Sequence, residues 1–249
     1  MITNCEIVGD RLAILDPPPG LSPHQVTDWR VAQAGYDSAY ATVYYPWLHV
    51  VDPSDGGLRT VPPSGHAAGI WARTDEARGV HAAPANETVR GAVALEIDLT
   101  HAEHELLNPN GINSIRSFPG RGIRVWGART LSSDPEWRYV NVRRLVNYLE
   151  EFIAKGTRWV VLEPKDEDLW ARIRRSVTAF LVDEWRRGAL SGRTPAEAFY
   201  VTCDRETNPA EAVDAGLVTC EVGVAPVKAA EFVIFRVTHD PSRTTNVSE

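Results

Sequence analysis

The most constraining feature of this sequence is an uninterrupted block at residues 118–145, which reads FPGRGIRVWGARTLSSDPEWRYVNVRRL. Gly120 and Gly122 bound a turn, and the apolar residues that follow alternate with arginines, as in a strand with one polar side. Asp134 is a typical helix N-cap, and Pro135 suits the first helical position because no backbone N–H is needed there. The block therefore predicts a turn, a strand and a helix start in direct succession.

Composition excludes several functional classes. The chain carries 33 acidic and 26 basic residues, for a formal charge of -7, whereas a nucleic-acid-binding protein is expected to be net basic. No apolar run approaches the roughly 20 residues of a membrane-spanning helix, and the first residues do not resemble a signal peptide. Cys5, Cys203 and Cys220 are far apart in the sequence and lack metal-ligand spacing, so we expect buried free thiols. We expect a soluble protein that neither binds nucleic acid nor inserts into a membrane.

The first half of the chain alternates strand and helix signals, which predicts an α/β fold. Ser22 and Pro23 form a helix start, and Pro46 is expected to end a buried strand or confine it to a sheet edge. Strands are predicted at residues 11–15, 40–48, 92–99 and 123–130, and a turn is predicted at 108–111. Small residues in the segment after β-prone residues 40–48 would let a helix approach a sheet closely; they are Gly65, Ala67, Ala68, Gly69 and Ala72.

The second half is predominantly helical in its apolar pattern. Apolar residues recur at steps of three and four from residue 139 to about 155, and again over 166–187, where an acidic first turn and basic last turn suit the helix dipole. Asn208 and Pro209 predict a short helix ending near Gly216. Strands are predicted at 217–224 and 231–238, and a domain boundary is predicted near Ser133.

Together with LNPNGINSIRSFPGRG, ETNPAEA and APVKAAEFVIFRV, the block at 118–145 resembles the tail sheath proteins of contractile phages, phage-tail-like bacteriocins and extracellular contractile injection systems. The resemblance implies a non-catalytic, subtilisin-like domain at residues 1–133 and an α+β C-terminal sheath domain at 134–249. It further implies a non-enzymatic structural subunit without a cofactor, assembled helically around an inner tube and able to contract. The implied partners are copies of the same chain, the inner tube protein, and baseplate and tail-terminator proteins. Assembly is implied in the cytoplasm, before incorporation into a tail or released particle.

The start of the chain departs from the pattern of this family. Sheath subunits usually begin with an extended arm and an outer domain, whereas this chain opens on CEIVGDRLAILDPP, which resembles an interior position of the family. The expectation is therefore a subunit shortened at its amino terminus, or a sequence that represents part of one. A shortened accessory module that binds partners by strand addition is an alternative.

A subtilisin-like fold calls for a search for a catalytic triad, and the candidates are few. Ser64 and His66 are close in sequence and Asp75 lies further along, but no nucleophile-elbow motif is present, so a hydrolase is a minor alternative. His101 and His104 have a spacing that suits one helical turn, yet two ligands do not make a metal site, and a turn capped by Thr100 explains them more simply. No catalytic, cofactor-binding or metal-binding residue is predicted.

Two sets of residues are predicted to act in assembly, each beside a simpler interpretation. The first set is basic and lies on one helix, where it serves either as a solvated face or as a contact with the inner tube or a neighbouring subunit; it comprises Arg172, Arg174, Arg175, Arg186 and Arg187. The second is a strongly β-prone run that forms either an internal hairpin with 217–224 or a strand donated to another subunit. It comprises Glu231, Phe232, Val233, Ile234, Phe235, Arg236 and Val237.

Overall fold

The computed structural model describes residues 1–161, 163 and 166–228, apart from the side chains of residues 33 and 34. The helices are α1 (Ile2–Val8), α2 (Pro23–Asp28), α3 (Ser64–Arg78), α4 (His101–Leu107), α5 (Val140–Gly156), α6 (Glu167–Arg186), α7 (Pro195–Ala198) and α8 (Ala210–Asp214). The strands are β1 (Ala13–Leu15), β2 (Ala41–Tyr45), β3 (Leu48–Val51), β4 (Leu58–Val61), β5 (Glu87–Thr88), β6 (Ala92–Leu95), β7 (Ile112–Phe118), β8 (Gly122–Val125), β9 (Phe199–Thr202) and β10 (Glu221–Val224). A π-helical turn, Trp29–Ala34, continues α2.

The first half is built on a five-stranded sheet with the order β1-β2-β7-β8-β5. Strands β1, β2 and β7 are parallel, and β8 and β5 continue the sheet in antiparallel fashion. Every residue of β2 is buried, because helices cover both faces of the sheet. Trp71 of α3 packs beside Tyr44 on one face, while Leu107 of α4 packs beside Val43 on the other. The predicted α/β class is confirmed, and its subtilisin-like character stays a prediction.

The strand predicted at residues 40–48 divides at Pro46. Its first part is β2, which lies inside the central sheet between β1 and β7. Its last residue, Leu48, instead begins β3, which pairs with β4 and β6 in a separate antiparallel sheet. Of the two roles predicted for Pro46, the structure therefore supports strand termination, since β2 is not an edge strand.

The two long helices of the second half lie where their apolar periodicity predicts them. Asp166 caps α6, and its Oδ1 atom accepts a hydrogen bond of 2.9 Å from the Leu169 N–H. The apolar faces of α5 and α6 share one core with the β9–β10 hairpin. The buried members from the two helices are Leu145, Leu149, Leu169, Trp170, Ile173, Val177 and Leu181.

One predicted helix start is wrong, and the short helix predicted after Asn208 is present as α8 but lacks its predicted cap. Asp134 forms a turn in which its Oδ1 accepts the Glu136 N–H at 2.9 Å, and the next helix begins only at Val140. The reason is tertiary pairing: the Thr130 N–H donates to the Arg138 carbonyl at 2.8 Å, which holds the intervening residues in a loop. Asn208 likewise does not cap α8, because its Oδ1 accepts the Thr219 N–H at 2.6 Å.

Helix α3 contacts the sheet through a different set of residues from the one predicted. Gly65, Ala68, Gly69 and Ala72 are exposed. The buried positions are Ala67, Ile70, Trp71 and Thr74, which recur at steps of three and four residues and form a single helical face. Large side chains therefore make this contact, and of the five small residues only Ala67 takes part.

Candidate assembly surface

The β9–β10 hairpin is an antiparallel pair with one apolar and one polar face. Glu221, Val222, Gly223 and Val224 pair in register with Thr202, Val201, Tyr200 and Phe199. Val201 and Val222 face the helical core. On the opposite face, the Tyr200 hydroxyl donates to Glu221 Oε1 at 2.8 Å, and this hydrogen bond raises the pKa of the Tyr200 phenol.

Gly223 is required by the close approach of Tyr200 across the hairpin. A Cβ atom built on Gly223 would lie 2.0 Å from a carbon of the Tyr200 ring. The ring therefore covers the glycine backbone, and any side chain at residue 223 would displace it. This arrangement fixes which face of the hairpin is turned to solvent.

The outer edge of β10 presents backbone groups that have no partner in the described part of the chain. The Ala225 N–H donates to the Ala198 carbonyl at 2.8 Å, so alternation along an antiparallel ladder points the backbone groups of Val222 and Val224 away from β9. Within residues 1–161, 163 and 166–228, no strand pairs with that edge. Beyond Val224 this edge ends at Pro226, which has no backbone N–H to donate to an added strand.

The outer edge of β9 is more restricted. The Phe199 N–H donates to the Pro195 carbonyl, and the Cys203 carbonyl accepts a hydrogen bond of 2.8 Å from Arg174 Nη1. Both ends of this edge are therefore engaged within the chain. Of the two edges, that of β10 is better suited to accept another strand.

The run predicted to be exchanged, Glu231 to Val237, lies outside the described residues. Its pairing with 217–224 is therefore untested. Within the described part of the chain, β10 comprises only Glu221–Val224, and its partner is β9. Strand β9 was missed in the sequence, although its FYVT run carries the aromatic and β-branched signal of a strand.

The five arginines of the basic set differ in their surroundings. Arg172 pairs with Glu163 at 3.1 Å and lies over the Trp159 ring at 4.4 Å. Near the helix end, Arg186 lies 3.5 Å from Asp183, and Arg187 lies 2.8 Å from Glu184.

Arg174 and Arg175 lie near the middle of α6. Arg174 is held by the Cys203 carbonyl. Arg175 is exposed and has no hydrogen-bond or ion-pair partner among the described residues. Arg175 is therefore the member of the set whose charge is most available to another molecule.

The structure does not bring Ser64, His66 and Asp75 together as a triad. The Ser64 hydroxyl donates to Asp16 Oδ2 at 2.6 Å, so its proton points to a carboxylate that caps α3. Asp75 forms a bidentate ion pair with Arg144, in which Nη1 and Nη2 of the guanidinium lie 2.8 and 2.5 Å from the two carboxylate oxygens. Burial lowers the pKa of His66, which favours a neutral imidazole. Ser64 and Asp75 therefore each serve a contact between elements.

Replacing Ser64 by alanine is expected to lower the free energy of unfolding by about 1 kcal/mol, because α3 loses one of its two hydrogen bonds to Asp16. Thermal unfolding of the two chains measures this loss. Asp16→Asn is the matched variant, since it keeps the shape of the cap and removes its charge. Peptide hydrolysis that is present in the parent chain and lost in Ser64→Ala would instead indicate a nucleophile.

The two histidines of α4 have separate partners. His101 Nε2 lies 3.4 Å from Glu105, and His104 Nδ1 lies 3.0 Å from the Ser114 hydroxyl. The predicted cap is confirmed, because Thr100 accepts the Glu103 N–H and Glu103 accepts the Thr100 N–H. In the described part of the chain, no group of three or more metal-ligating side chains is assembled, and no helix is long and apolar enough to cross a bilayer.

A five-stranded sheet covered by helices, followed by two long helices that pack on a β-hairpin, places this chain among the α/β proteins. It belongs to the phage tail sheath protein family: residues 1–131 match the model of the phage tail sheath protein central domain, and residues 132–239 match that of the C-terminal domain.

Individual relatives agree with this assignment. A putative prophage major tail sheath protein of Pseudomonas aeruginosa strain UCBPP-PA14 is 29% identical over 234 residues, which cover 91% of this chain and 57% of the relative. The sheath complex of the extracellular contractile injection system PVC, solved in its contracted state, has a TM-score of 0.85 and 35% identity, covering 93% of this chain and 64% of that one. A chain in the anti-feeding prophage baseplate has a TM-score of 0.81 and 35% identity, covering 92% and 60%.

The chain spans one third to somewhat over half the length of the first curated relatives that it matches, 34% and 57%. It spans about three fifths of the matched chains in the solved assemblies, 60% and 64%.

Proposed function

We propose that this chain is a structural subunit of the contractile sheath of a phage tail or a phage-tail-like injection system. Copies would assemble helically around an inner tube, and contraction would drive that tube through a target envelope. The observation that carries this proposal is the outer edge of β10, which no strand of the described residues pairs with, in a chain whose two halves match the two sheath domains.

Strand exchange is the proposed means of joining subunits. The outward backbone groups at Val222 and Val224 suit a short added strand, and the β-prone run at residues 231–237 is of comparable length. Backbone pairing of this kind survives a rotation of the domains that it connects, provided the linking segments are flexible. We therefore propose that residues 231–237 of one copy add to the β10 edge of another.

We infer that the chain performs no chemical step. Ser64 and Asp75 are each engaged by another residue. Contraction would draw its free energy from the difference in packing between two arrangements of the subunits, so it would need neither nucleotide nor cofactor. The sheath would assemble in the cytoplasm and then become part of a tail or a released particle.

The proposed partners are copies of this chain, the inner tube, the baseplate and the tail terminator. The solved relatives are chains of a contracted sheath and of a baseplate, which supports the first and third of these. The basic set on α6 is proposed to contact the tube or a neighbouring subunit, with Arg175 as its most available charge.

Electron microscopy of the full chain produced together with its tube protein tests the proposed function. We expect striated tubes whose outer layer contains this chain. The chain produced without tube protein is the control and shows whether the tube sets the length of the assembly. A chain that stays monomeric at high concentration and never coats the tube would overturn the proposal and favour the accessory module.

Reversal of one charge tests the proposed role of the basic set. Arg175→Glu is expected to lower the fraction of subunits on the tube by about threefold, because one exposed ion pair is worth a few tenths of a kcal/mol to about 1 and recurs in every subunit. Sedimentation with assembled tubes measures this fraction. Arg193→Glu makes the same change of charge on the loop before α7 and is expected to sediment as the parent does. Equal sedimentation of Arg175→Glu and the parent would remove α6 from the tube contact.

A further inference from the structure

Two of the three cysteines lie opposite each other at the loop end of the hairpin, where its two strands are connected. Strand β9 ends at Thr202 and β10 begins at Glu221, and these two residues are paired in register. One step beyond this pair, Cys203 stands across from Cys220. Both cysteines belong to the same core cluster, so their side chains lie on the same face of the hairpin.

The position of Cys203 and Cys220 in the β9–β10 ladder allows a disulfide bond between them without movement of the backbone. Ala225 and Ala198 form a hydrogen-bonded pair, and alternation along the ladder makes the Cys203 and Cys220 position a non-hydrogen-bonded one. The Cys203 carbonyl agrees with this assignment, because it points away from β10 and accepts from Arg174. At such positions the Cα atoms are about 4.5 Å apart, within the range that a disulfide bridges.

The two thiols differ in access but are in contact. Cys203 is fully buried, with 0% of its surface exposed, whereas Cys220 is partly exposed. Burial raises the pKa of the Cys203 thiol, and it raises that of Cys220 to about 11, an effect that the hydrogen bond between the two thiols reinforces for Cys220. Arg174 lowers the pKa of both thiols, and Asp204 raises that of Cys203. Both thiols are therefore mostly protonated, and so slow to react, near neutral pH.

We propose that Cys203 and Cys220 are a site of intramolecular disulfide formation by exchange with a small disulfide of the glutathione class. The Cys220 thiolate attacks one sulfur of the reagent, which releases one small thiolate and leaves a mixed disulfide at Cys220. The Cys203 thiolate then attacks Cys220 Sγ and releases the second small thiolate. Two protein thiols are oxidised, and the reagent is reduced to two small thiols. Each protein thiol loses its proton to solvent before it attacks, and each released thiolate takes up a proton from solvent.

The bond would tie the two strands at the loop end of the hairpin and close the loop at residues 204–219, which contains α8. A cross-link of this kind stabilises the folded chain chiefly by restricting the unfolded one. It would also hold β10 in register with β9 while the outer edge of β10 stays open. This consequence for assembly rests on the proposed function, whereas formation of the bond does not.

The full chain, incubated with oxidised glutathione and digested without reduction, tests the proposal by mass spectrometry. We expect one linked pair of peptides containing Cys203 and Cys220, formed about 100-fold faster at pH 9 than at pH 7 because the thiolate fraction rises tenfold per pH unit. The oxidised chain should melt roughly 5–10 °C above the reduced one, and dithiothreitol should abolish the difference. Cys5→Ser is the matched control and should form the same link.

Two results would contradict the proposed disulfide. A stable glutathione adduct at Cys220 without the internal bond would overturn the proposal, as would a link that forms only in denaturant. Cys203→Ala provides an independent check, since it should accumulate the adduct at Cys220 that the parent chain resolves. Neither result depends on whether the chain assembles on a tube, so the outcome can be separated from that of the proposed function.

Discussion

Replacing Arg143 by alanine is expected to lower the free energy of unfolding by about 3 kcal/mol and the melting temperature by roughly 10 °C. Arg143 lies in α5, is only 5% exposed, and carries its guanidinium between the rings of Tyr40 and Trp137, at 4.7 and 4.2 Å. Its Nε donates to Asn147 Oδ1 at 2.7 Å. Truncation would remove both ring contacts and leave a buried amide oxygen without its donor.

The contacts of Arg143 explain why the loss should be large. Tyr40 precedes β2 of the central sheet, whereas Trp137 lies in the loop that leads into α5. The guanidinium therefore joins the two halves of the chain at one point, with the Glu150 carboxylate 3.5 Å away at the surface. A planar, charged group stacked between two aromatic rings is poorly replaced by water or by a smaller side chain.

Three variants separate the contributions at this position. Arg143→Met keeps most of the volume and is expected to lose less than half as much stability as alanine, because the thioether still packs on both rings. Arg143→Lys keeps the charge and loses the planar stacking, so it should be intermediate. Arg158→Ala removes an exposed arginine and serves as the control. A loss below about 1 kcal/mol for Arg143→Ala would mean that the cost of burying the charge cancels its contacts.

Arg144, the next residue of α5, shows a second contact between the halves. It forms the ion pair with Asp75 of α3 and lies over the Trp71 ring at 4.8 Å. Neither Arg143 nor Arg144 could be assigned its partner in the first half of the chain in advance, since Tyr40, Trp71 and Asp75 are far away in the sequence. The apolar periodicity of residues 139–155 leaves both arginines off the apolar face of the helix, yet Arg143 is buried.

Local signals predicted the helices well. The apolar periodicity of α5 and α6 and the acidic first turn of α6 depend on residues within a few positions of each other, and all are present in the structure. Ser22 likewise forms the expected helix start, with a full capping box to Gln25. These features are decided by short-range hydrogen bonds and by one apolar face, both of which a sequence displays directly.

The failures have a common cause in tertiary pairing. Asp134 and Pro135 carry a good helix start, yet the pairing of Thr130 with Arg138 holds them in a loop. Strand β9 is only four residues long, and it is completed only by pairing with β10 across the connection at residues 203–220. The open edge of β10 follows from that pairing, so the candidate assembly surface was not visible in the sequence. The exchanged run at 231–237 and the contacts of the basic set with a tube stay predictions.

The outer edge of β10 provides the sharpest test of assembly. Val222→Pro is expected to reduce the assembled fraction at least about tenfold while the isolated chain still folds. The Val222 N–H points away from β9, so proline removes a donor that only an added strand would use, and its ring obstructs that strand. The hydrogen bonds between β9 and β10 are made by the neighbouring residues and should persist.

Two matched variants make this result interpretable. Val222→Ala removes the same apolar contact with the core but keeps the N–H, so it should lose some stability and still assemble. Glu221→Pro removes a donor on the inner side of the ladder and should instead destabilise the hairpin itself. Circular dichroism and thermal melting measure the folded chain, and sedimentation with electron microscopy measures assembly. If Val222→Pro assembled as well as Val222→Ala, backbone pairing at β10 would not join the subunits, and side-chain contacts such as those of α6 would have to do so.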